Sequence, residues 1–367
     1  MRQTVKEGKT LLVDGPASVS LLSGSATVLG TDLDLGSKIV VRNGKRLPFE
    51  VLKNAAFELT LGESSSFMEM DGSTIPDCWK DAADAILASE GFVSTLVIGG
   101  VDSGKTSLCT FLANVALKEK RKVAVIDGDL GQSDLGPPAT VGLARVATPI
   151  VDLYGAQAEN IVFVGATTPS KAFNASLNAL KTLKKESNEM NIDFLIINTD
   201  GWVEAEEAIN HKNEIVRLFA PTAIIAIQEG DELKPLLDAL RGFRIFVVES
   251  PKTVRKRSHE TRKALRELAY RKHLKDARFQ CYPLSWIEIK GTNIETMDAF
   301  GSSEKGIDRN FPQASPIWYD EPNASVIVED ARNRIVGLED EKEKFLGIGI
   351  LCSINLEKRI VKVYTSI

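Results

Sequence analysis

The spacing of apolar and polar residues divides the chain into three regions. Residues 1–72 contain short alternating runs between turn residues, such as ASVSLLSGSATVLG and AAFELTLGE. Such runs predict a small antiparallel β domain. In the following segment, DGSTIPDCWKDAADAILASEG, Trp79, Ala82 and Ile86 recur three or four residues apart, which predicts a helix. We therefore expect a β-rich N-terminal domain over residues 1–72, followed by a helix that leads into the next domain.

Residues 73–275 have a different pattern, in which continuous apolar runs alternate with segments of helix length. The runs are FVSTLVIGG, KVAVIDGD, NIVFVGA, DFLIINTDG, TAIIAIQEG and RIFVVES. Runs of this kind are typical of strands buried on both faces, so they predict a parallel sheet flanked by helices. Over residues 276–367 the segments RFQCYPLSWIEIKG, ASVIVEDARNRIVGLE and FLGIGILCSINLEKRIVKVYTSI predict a second small β-rich domain.

Composition excludes several classes of protein. The 367 residues are 43% hydrophobic and 26% charged, which is typical of globular proteins with more than one domain. No apolar run approaches the roughly 18 residues of a membrane helix, and the N-terminus lacks the apolar core of a signal peptide. We therefore expect a cytoplasmic protein. Four scattered cysteines and three histidines favour neither a disulfide framework nor a zinc site.

The segment VIGGVDSGKTSL contains a complete phosphate-binding loop of the form G-x-x-x-x-G-K-[ST]. A buried strand is predicted before it and a helix from Lys105 after it, which is the order that the motif requires. Lys105 would reach the β- and γ-phosphates of a nucleotide, and the Thr106 hydroxyl would bind Mg²⁺. A chance glycine-rich turn is the less favoured alternative. The predicted nucleotide-binding residues are Gly99, Gly100, Asp102, Ser103, Gly104, Lys105, Thr106 and Ser107. The predicted fold class is α/β, with a P-loop NTPase-type parallel sheet between two β-rich domains.

Carboxylates follow the second predicted strand, in VAVIDGDLGQSDLGPP. We expect this strand beside the P-loop strand, where a carboxylate binds the magnesium shell or prepares a nucleophile. Asp127 and Asp129 are the candidates, and their spacing does not separate the two roles. A turn cap is the alternative for Asp127 and the favoured interpretation of Asp134. Asp102 would repel a triphosphate unless it is turned outward or paired with Lys105.

Charge is unevenly distributed. The formal net charge of −5 argues against an indiscriminate nucleic-acid binder, yet residues 252–275 contain ten Lys or Arg and two Glu. Arg257 and Arg262 lie five positions apart, so they do not share a face of an ideal helix, and the start of a helix suits them better. A solvated helical face is the plain alternative for this basic run.

Five segments together are similar to one family. In order along the chain they are DSGKT, DGDLGQSDLGPPATVG, GATTPS, NTDGWV and VRKRSHETRKALRELAYRKHL. This set resembles the RNA-processing type of polynucleotide 5′-hydroxyl kinases, a family that includes the eukaryotic pre-mRNA cleavage-complex subunit, ribosomal-RNA processing kinases and archaeal relatives. The resemblance is strongest over residues 75–274 and extends to the three-domain plan. Without eukaryote-style extensions at either end, the chain is similar to archaeal members.

The resemblance implies roles for residues beyond the P-loop. Asp129 would accept the proton of the substrate's 5′-hydroxyl, with Gln132 near the substrate or metal shell and Asp127 in support. Magnesium would be bound at Thr106 and Asp127.

The remaining family motifs concern the substrate and a lid over the site. One of Thr167 and Thr168 would belong to a clasp on the substrate's terminal phosphate. Trp202 would stack on a terminal base, although a tryptophan after a strand is in general more often part of the core. Arg257 and Arg262 would be lid arginines that neutralise the transferred phosphoryl group.

These assignments predict a kinase that uses ATP and Mg²⁺ to phosphorylate the 5′-hydroxyl of RNA, with DNA as a further candidate substrate and RNA-processing proteins as candidate partners. Two alternatives remain: a catalytically weak, ATP-binding scaffold of an RNA-processing complex, and a P-loop kinase or ATPase that acts on a small molecule or a protein. The scaffold predicts loss of the lid and carboxylate residues. The small-molecule enzyme predicts that oligonucleotides do not bind.

Overall fold

The computed structural model describes residues 1–287, 334–355 and 357–367. These residues form two compact units, one of residues 1–265 and one of residues 266–367. The domain boundaries predicted at 72/73 and 275/276 stay predictions. Parts of the three predicted C-terminal segments, residues 288–291, 324–333 and 356, lie outside the described residues. In the described ranges, no helix has the length and apolar character needed to span a membrane.

The first unit begins with an antiparallel sheet, as the alternating runs predict. Its strands are β1 (Arg2–Val5), β2 (Lys9–Asp14), β3 (Ala17–Val28), β4 (Thr31–Asp32), β5 (Lys38–Val41), β6 (Arg46–Leu61) and β7 (Ser66–Asp71). They lie in the order β4-β3-β6-β2-β7, with β1 paired to β6 and β5 paired to β3. Along β3, Val19 and Leu21 are buried while Ser18 and Ser20 are half-buried, so one face of the sheet forms the core.

A second sheet and its helices follow. The strands are β8 (Val93–Gly99), β9 (Val123–Gly128), β10 (Thr140–Val146), β11 (Gln157–Phe163), β12 (Phe194–Thr199), β13 (Ala223–Gln228) and β14 (Ile245–Glu249). The helices are α1 (Asp77–Leu87), α2 (Lys105–Lys118), α3 (Phe173–Glu189), α4 (Glu206–Phe219) and α5 (Lys234–Ala239). The strand order is β11-β10-β9-β12-β8-β13-β14. Each of the six continuous apolar runs forms a strand of this sheet, which confirms the predicted α/β fold.

Helices cover both faces of this sheet. On β8, Val97 packs into the core formed with α1 and α2, whereas Leu96 and Ile98 pack into the core formed with α3, α4 and α5. All seven residues of β8 are buried. Burial on both faces explains why the apolar runs in this region do not alternate.

Two expectations about this sheet are wrong. The sheet is mixed rather than parallel, because β10 runs antiparallel to both β9 and β11. In addition, β9 does not lie beside the P-loop strand β8. After β9 the chain turns outward through β10 and β11 and returns through α3, so that β12 is inserted between β9 and β8. The strand that directly neighbours the P-loop strand on this side therefore leads to Asp200, not to Asp127.

The second unit contains an antiparallel sheet. Its strands are β15 (Arg278–Pro283), β16 (Arg334–Glu339), β17 (Phe345–Asn355) and β18 (Ile360–Thr365), in the order β15-β18-β17-β16. Leu351, Val361 and Val363 form its buried core. Helix α6 (His259–His273) contains the boundary between the two units.

Asp134 links the two sheets of the first unit. Its carboxylate accepts hydrogen bonds from Arg42 Nη2 at 2.7 Å and Lys45 Nζ at 2.6 Å, both in the turn that leads into β6. Burial of Asp134 alone would raise its pKa, but the two cations outweigh this effect and lower the pKa to about 2. The interpretation of Asp134 as a turn cap is therefore wrong, since the side chain is a buried partner of two cations from the N-terminal sheet.

We predict that Asp134→Asn lowers the free energy of unfolding by about 2 kcal/mol at pH 7, since each pKa unit corresponds to about 1.4 kcal/mol. Because the folded-state pKa is depressed from 3.8 to about 2, the stabilisation is complete above pH 4 and is lost as the pH falls towards 2. Urea unfolding at pH 7 and at several values below pH 4 measures this difference.

Asp32→Asn is the matched control, because Asp32 pairs with Lys118 through side chains that are 69% and 45% exposed. Its effect should stay within about 0.5 kcal/mol. Equal effects of the two substitutions would contradict a special role of Asp134.

Candidate functional site

The P-loop connects β8 to α2. A Cβ on Gly99 would lie 2.7 Å from Ser103 Oγ and 2.8 Å from Ile227 O, so no larger residue fits there. Gly104 precedes α2 with φ +99°, which favours glycine. A Cβ on Gly100 would meet open space. The loop thus presents backbone and a helix N-terminus, flanked by half-buried Thr106 and Ser107, which fits the phosphates of a nucleotide.

Lys105 is a buried cation at the start of α2, with 6% of its surface exposed. Its Nζ donates a hydrogen bond to Gly100 O at 2.6 Å, within the P-loop itself. Burial lowers the pKa of Lys105, while the negative charges of Asp129 and Asp200 oppose the shift. These two carboxylates therefore lie near the lysine and stabilise its charged form.

Asp127 is buried at the end of β9 and has several hydrogen-bond donors around it. Asn198 Nδ2 donates to it at 2.9 Å, and the backbone N–H of Asp134 donates at 2.8 Å. Burial, followed by the negative charges of Asp129 and Asp134, raises the pKa of Asp127 to about 6. These contacts fit a residue that stabilises the turn after β9. The assignment of Asp127 as a magnesium ligand stays a prediction. Within the described ranges, no cluster of three or more His, Cys, Asp or Glu could hold a metal ion.

Asp129 lies in the turn after Asp127 and is half-buried. Its Oδ1 accepts the backbone N–H groups of Gly131 and Gln132, each at 3.0 Å, which fixes the carboxylate in one orientation. Burial raises the pKa of Asp129, and the charge of Lys105 opposes the rise. Asp129 is thus held near the P-loop lysine, as a residue that accepts a proton beside the phosphates requires.

The predicted clasp and the lid reach the same turn. Gln132 Nε2 donates to Arg262 O at 3.3 Å. A Cβ on Gly131 would lie 3.1 Å from Thr167 O, so the two backbones are in close contact. The Thr168 hydroxyl bonds to Ser170 Oγ at 3.0 Å. The turn that carries Asp129 is therefore in contact with the predicted clasp at Thr167 and with the predicted lid at Arg262.

Asp102 has a different partner from those expected. It neither turns outward nor pairs with Lys105. Instead, its carboxylate accepts hydrogen bonds from the Arg257 side chain, from the Arg257 backbone N–H at 2.9 Å and from Arg262 Nη1 at 3.3 Å. Arg257 precedes α6 and Arg262 lies in its first turn, which is how these two side chains reach one carboxylate.

A cleft of about 460 Å³ lies beside the P-loop. Gly100, Val101 and Ser103 form one side, and half-buried Trp202 lies on the lining together with exposed Glu204. Trp202 follows β12, at the edge of the sheet where parallel strands end and ligands of α/β proteins bind. The structure therefore brings Trp202 to the lining of a cleft beside the P-loop.

Three residues without a predicted role, Asp200, Lys212 and His211, lie around Trp202. Asp200 accepts the Trp202 backbone N–H at 2.9 Å and Lys212 Nζ at 2.6 Å. The His211 ring lies 5.9 Å from the Trp202 ring, centroid to centroid, and bonds to Ser176 Oγ at 2.8 Å. Burial, followed by the charge of Lys212, lowers the pKa of His211 to about 4, so the imidazole is neutral at pH 7.

A signal for Asp200 exists in the sequence, because the residue directly follows a buried strand in NTDGW. Burial would raise the pKa of Asp200, but the charge and hydrogen bond of Lys212 prevail and lower it. Lys212 and His211 belong to α4, and nothing in the helical pattern distinguishes them from solvated residues. Only the packing of α4 against the sheet shows that both are buried.

The chain is similar to several known proteins. Residues 99–276 match the family described as mRNA cleavage and polyadenylation factor CLP1 P-loop. A polyribonucleotide 5′-hydroxyl-kinase of Methanocaldococcus jannaschii is 31% identical over 60% of this chain and 61% of its own length. A polyribonucleotide 5′-hydroxyl-kinase Clp1 of Xenopus tropicalis is 27% identical over 76% of this chain and 67% of its own length.

The chain spans about three fifths of the length of the archaeal relatives that it matches. A solved structure of Clp1p in complex with Pcf11p superimposes with a TM-score of 0.69 over 100% of this chain and 94% of that one, at 12% identity. The superposition shows a common fold.

We predict that Lys212→Met lowers the free energy of unfolding by about 3–5 kcal/mol, because it leaves the buried Asp200 carboxylate without its cation. Adding Asp200→Asn to Lys212→Met should restore part of the loss. Urea unfolding measures both variants. Arg217→Met on the same helix is the control, since its pair with Glu214 has side chains 72% and 45% exposed. A cost for Lys212→Met no larger than that control would rule out a buried pair.

Proposed function

We propose that the chain is an ATP-dependent polynucleotide 5′-hydroxyl kinase, and the match of residues 99–276 to the CLP1 P-loop family supports this proposal. Its substrate is the 5′-hydroxyl end of RNA, with DNA as a further candidate. The observation that carries the proposal is that a P-loop lysine, a fixed carboxylate, two lid arginines and an aromatic ring on a cleft meet at one edge of the sheet. A nucleotide binder alone needs only the first of these.

The chain's own residues supply most of the chemistry. ATP with Mg²⁺, when bound, supplies the γ-phosphoryl group. Lys105, Arg257 and Arg262 neutralise the negative charge that spreads over the phosphoryl oxygens during transfer. Thr106 is the residue of the P-loop that would hold Mg²⁺. Phosphoryl transfer depends mainly on positioning and neutralisation, so three cations around one loop suit it.

Asp129 is the proposed general base. Since Oδ1 already accepts two backbone N–H groups, Oδ2 is the atom assigned to accept the proton of the 5′-hydroxyl. Because burial raises its pKa, the Asp129 carboxylate binds that proton more tightly than a solvent-exposed aspartate would. Phosphoryl transfer is then direct and in line, from the nucleotide to the hydroxyl.

Trp202 is the proposed platform for the terminal base. A base that stacks on an aromatic ring gains about 1–3 kcal/mol whatever its identity, so one tryptophan supports binding of many different strand ends. One of Thr167 and Thr168 is proposed to belong to a clasp on the terminal phosphate. Gln132 is proposed to lie beside the substrate.

A scaffold that binds ATP without turnover is the alternative. The presence of Lys105, Asp129, Arg257 and Arg262 favours the kinase. Clp1p has Pcf11p as its partner in the solved complex, and we include an RNA-processing protein partner and a cytoplasmic location in the proposal for this chain.

We predict that the protein transfers labelled γ-phosphate from ATP to a 5′-hydroxyl RNA oligonucleotide, and that Lys105→Ala and Asp129→Asn each lower kcat by about 10²–10⁴-fold. Matched single-stranded and duplex RNA and DNA oligomers identify the preferred substrate. Lys118→Ala, at the exposed end of the same helix as Lys105, is the control and should keep full activity. A folded protein that binds ATP and labels no oligonucleotide would support the scaffold instead.

We predict that Trp202→Ala raises KM for the oligonucleotide about tenfold and leaves KM for ATP unchanged, because the ring contacts the base and not the phosphates. Trp202→Phe should retain part of the affinity. Steady-state kinetics with each substrate varied in turn measures the effect. Phe92→Ala is the control, because this exposed ring precedes β8 at the opposite edge of the sheet. An equal change in both KM values would argue that Trp202 supports the P-loop rather than a base.

A further inference from the structure

The P-loop contains a carboxylate that is not needed to bind phosphate. Asp102 has φ +55°, a left-handed conformation that aspartate tolerates better than most residues. Its side chain is only 4% exposed, and the Arg257 and Arg262 side chains around it are 20% and 24% exposed. A negative charge so close to a triphosphate site is unfavourable unless another interaction compensates it.

The two lid arginines provide that compensation, and they do so with defined geometry. Arg257 donates from Nε to Asp102 Oδ1 at 2.8 Å and from its backbone N–H to Oδ2 at 2.9 Å, so Asp102 grips both the side chain and the main chain of this residue. Arg262 Nη1 donates to Asp102 Oδ2 at 3.3 Å and to Arg257 O at 2.6 Å. The three residues form one closed hydrogen-bonded cluster.

The charge of this cluster is favourable for a nucleotide site. One carboxylate and two guanidiniums leave a net charge of about +1, since arginine stays protonated at all relevant pH values. Without Asp102, two guanidiniums this close would repel each other in a partly buried setting, where charges interact more strongly than in water. The carboxylate therefore allows both arginines to lie against the P-loop.

The other contacts of the lid, residues 252–263, are made with segments outside the P-loop. Arg46 Nη1 donates to Thr253 O at 3.0 Å, and Gln132 Nε2 donates to Arg262 O at 3.3 Å. Lys256 Nζ bonds to Glu229 Oε2 at 2.7 Å, but these side chains are 74% and 50% exposed. Exposed pairs contribute little, because solvent screens them. The contact of the lid with the P-loop thus depends mainly on Asp102.

We propose that Asp102 is a positioning residue that holds Arg257 and Arg262 on the P-loop. This inference rests on the proposed kinase function, in which the two arginines neutralise the transferred phosphoryl group. Because the carboxylate belongs to the loop that binds the phosphates, the lid is fixed to the loop it serves. The two arginines are then already in position, so closure of the lid does not have to order a free segment.

Limited digestion with trypsin tests the tether without reference to catalysis. The lid offers trypsin sites at Lys252, Arg255, Lys256, Arg257, Arg262 and Lys263. Asp102→Asn removes the charge without changing the size of the side chain or the trypsin sites. We expect cleavage between residues 252 and 263, in the nucleotide-free protein, to become about tenfold faster, because cleavage follows the population of the open lid.

Glu204→Gln is the matched control. It makes the same change of charge at an exposed position on the cleft. Trypsin should then cleave the lid no faster than in the parent protein. Urea unfolding verifies that Asp102→Asn is folded. Unchanged lid cleavage in a folded Asp102→Asn variant would overturn the proposal.

A double-mutant cycle distinguishes a role through the arginines from a role in the shape of the loop. We expect Asp102→Asn to slow kcat about tenfold with KM for the oligonucleotide unchanged, and to have a smaller further effect once Arg257→Ala is present, because only Arg262 then remains to be positioned. Arg257→Lys, which keeps the charge but loses the forked donor, should resemble Asp102→Asn in both assays. If the double variant loses kcat by the full product of the two single losses, Asp102 does not act through Arg257. That result would overturn the positioning role.

The two assays also separate this inference from the proposed function. A parent protein that lacks kinase activity but shows faster lid cleavage in Asp102→Asn would contradict the kinase and retain the tether. Kinase activity together with unchanged cleavage would contradict the tether alone.

Discussion

The burial of the Lys105 cation is the constraint on which the rest of the site depends. A lysine with 6% exposure at the junction of a strand and a helix stays charged only if carboxylates lie close by. Asp129 and Asp200 provide them, from the ends of two different strands. Because β12 lies between β8 and β9 and runs parallel to both, the carboxyl ends of the three strands bring these three charges to one edge of the sheet.

Each of those carboxylates is fixed by its own support. Asp200 pairs with the buried cation of Lys212 and also binds the backbone N–H of Trp202, so one residue supports both the charge near Lys105 and the proposed platform for a base. Asp129 receives backbone N–H groups from its own turn. The polar groups of the site are thus held by hydrogen bonds already present in the protein, which is the preorganisation that phosphoryl transfer requires.

The N-terminal sheet takes part in the same network. Arg42 and Lys45 bind the Asp134 carboxylate, the backbone of Asp134 donates to Asp127, and Asp127 accepts the backbone N–H of Asp129 at 3.3 Å. A continuous path of hydrogen bonds therefore joins the first sheet to the turn of the proposed base. The N-terminal sheet therefore helps to fix the turn of Asp129, in addition to forming a layer of its own.

The sequence by itself determined most of the elements and the position of the P-loop. The alternating runs of residues 1–72, the continuous runs of the central sheet and the P-loop from Gly99 to Thr106 are local patterns, and local patterns follow from burial on one face or two. The order of strands is not local. Only the tertiary structure decided that β12 separates β9 from β8, that Asp102 binds lid arginines more than 150 positions away, and that Asp134 binds the first sheet. The physical reason is that a charged residue shows in the sequence that it needs a partner, but not which distant segment the fold brings to it.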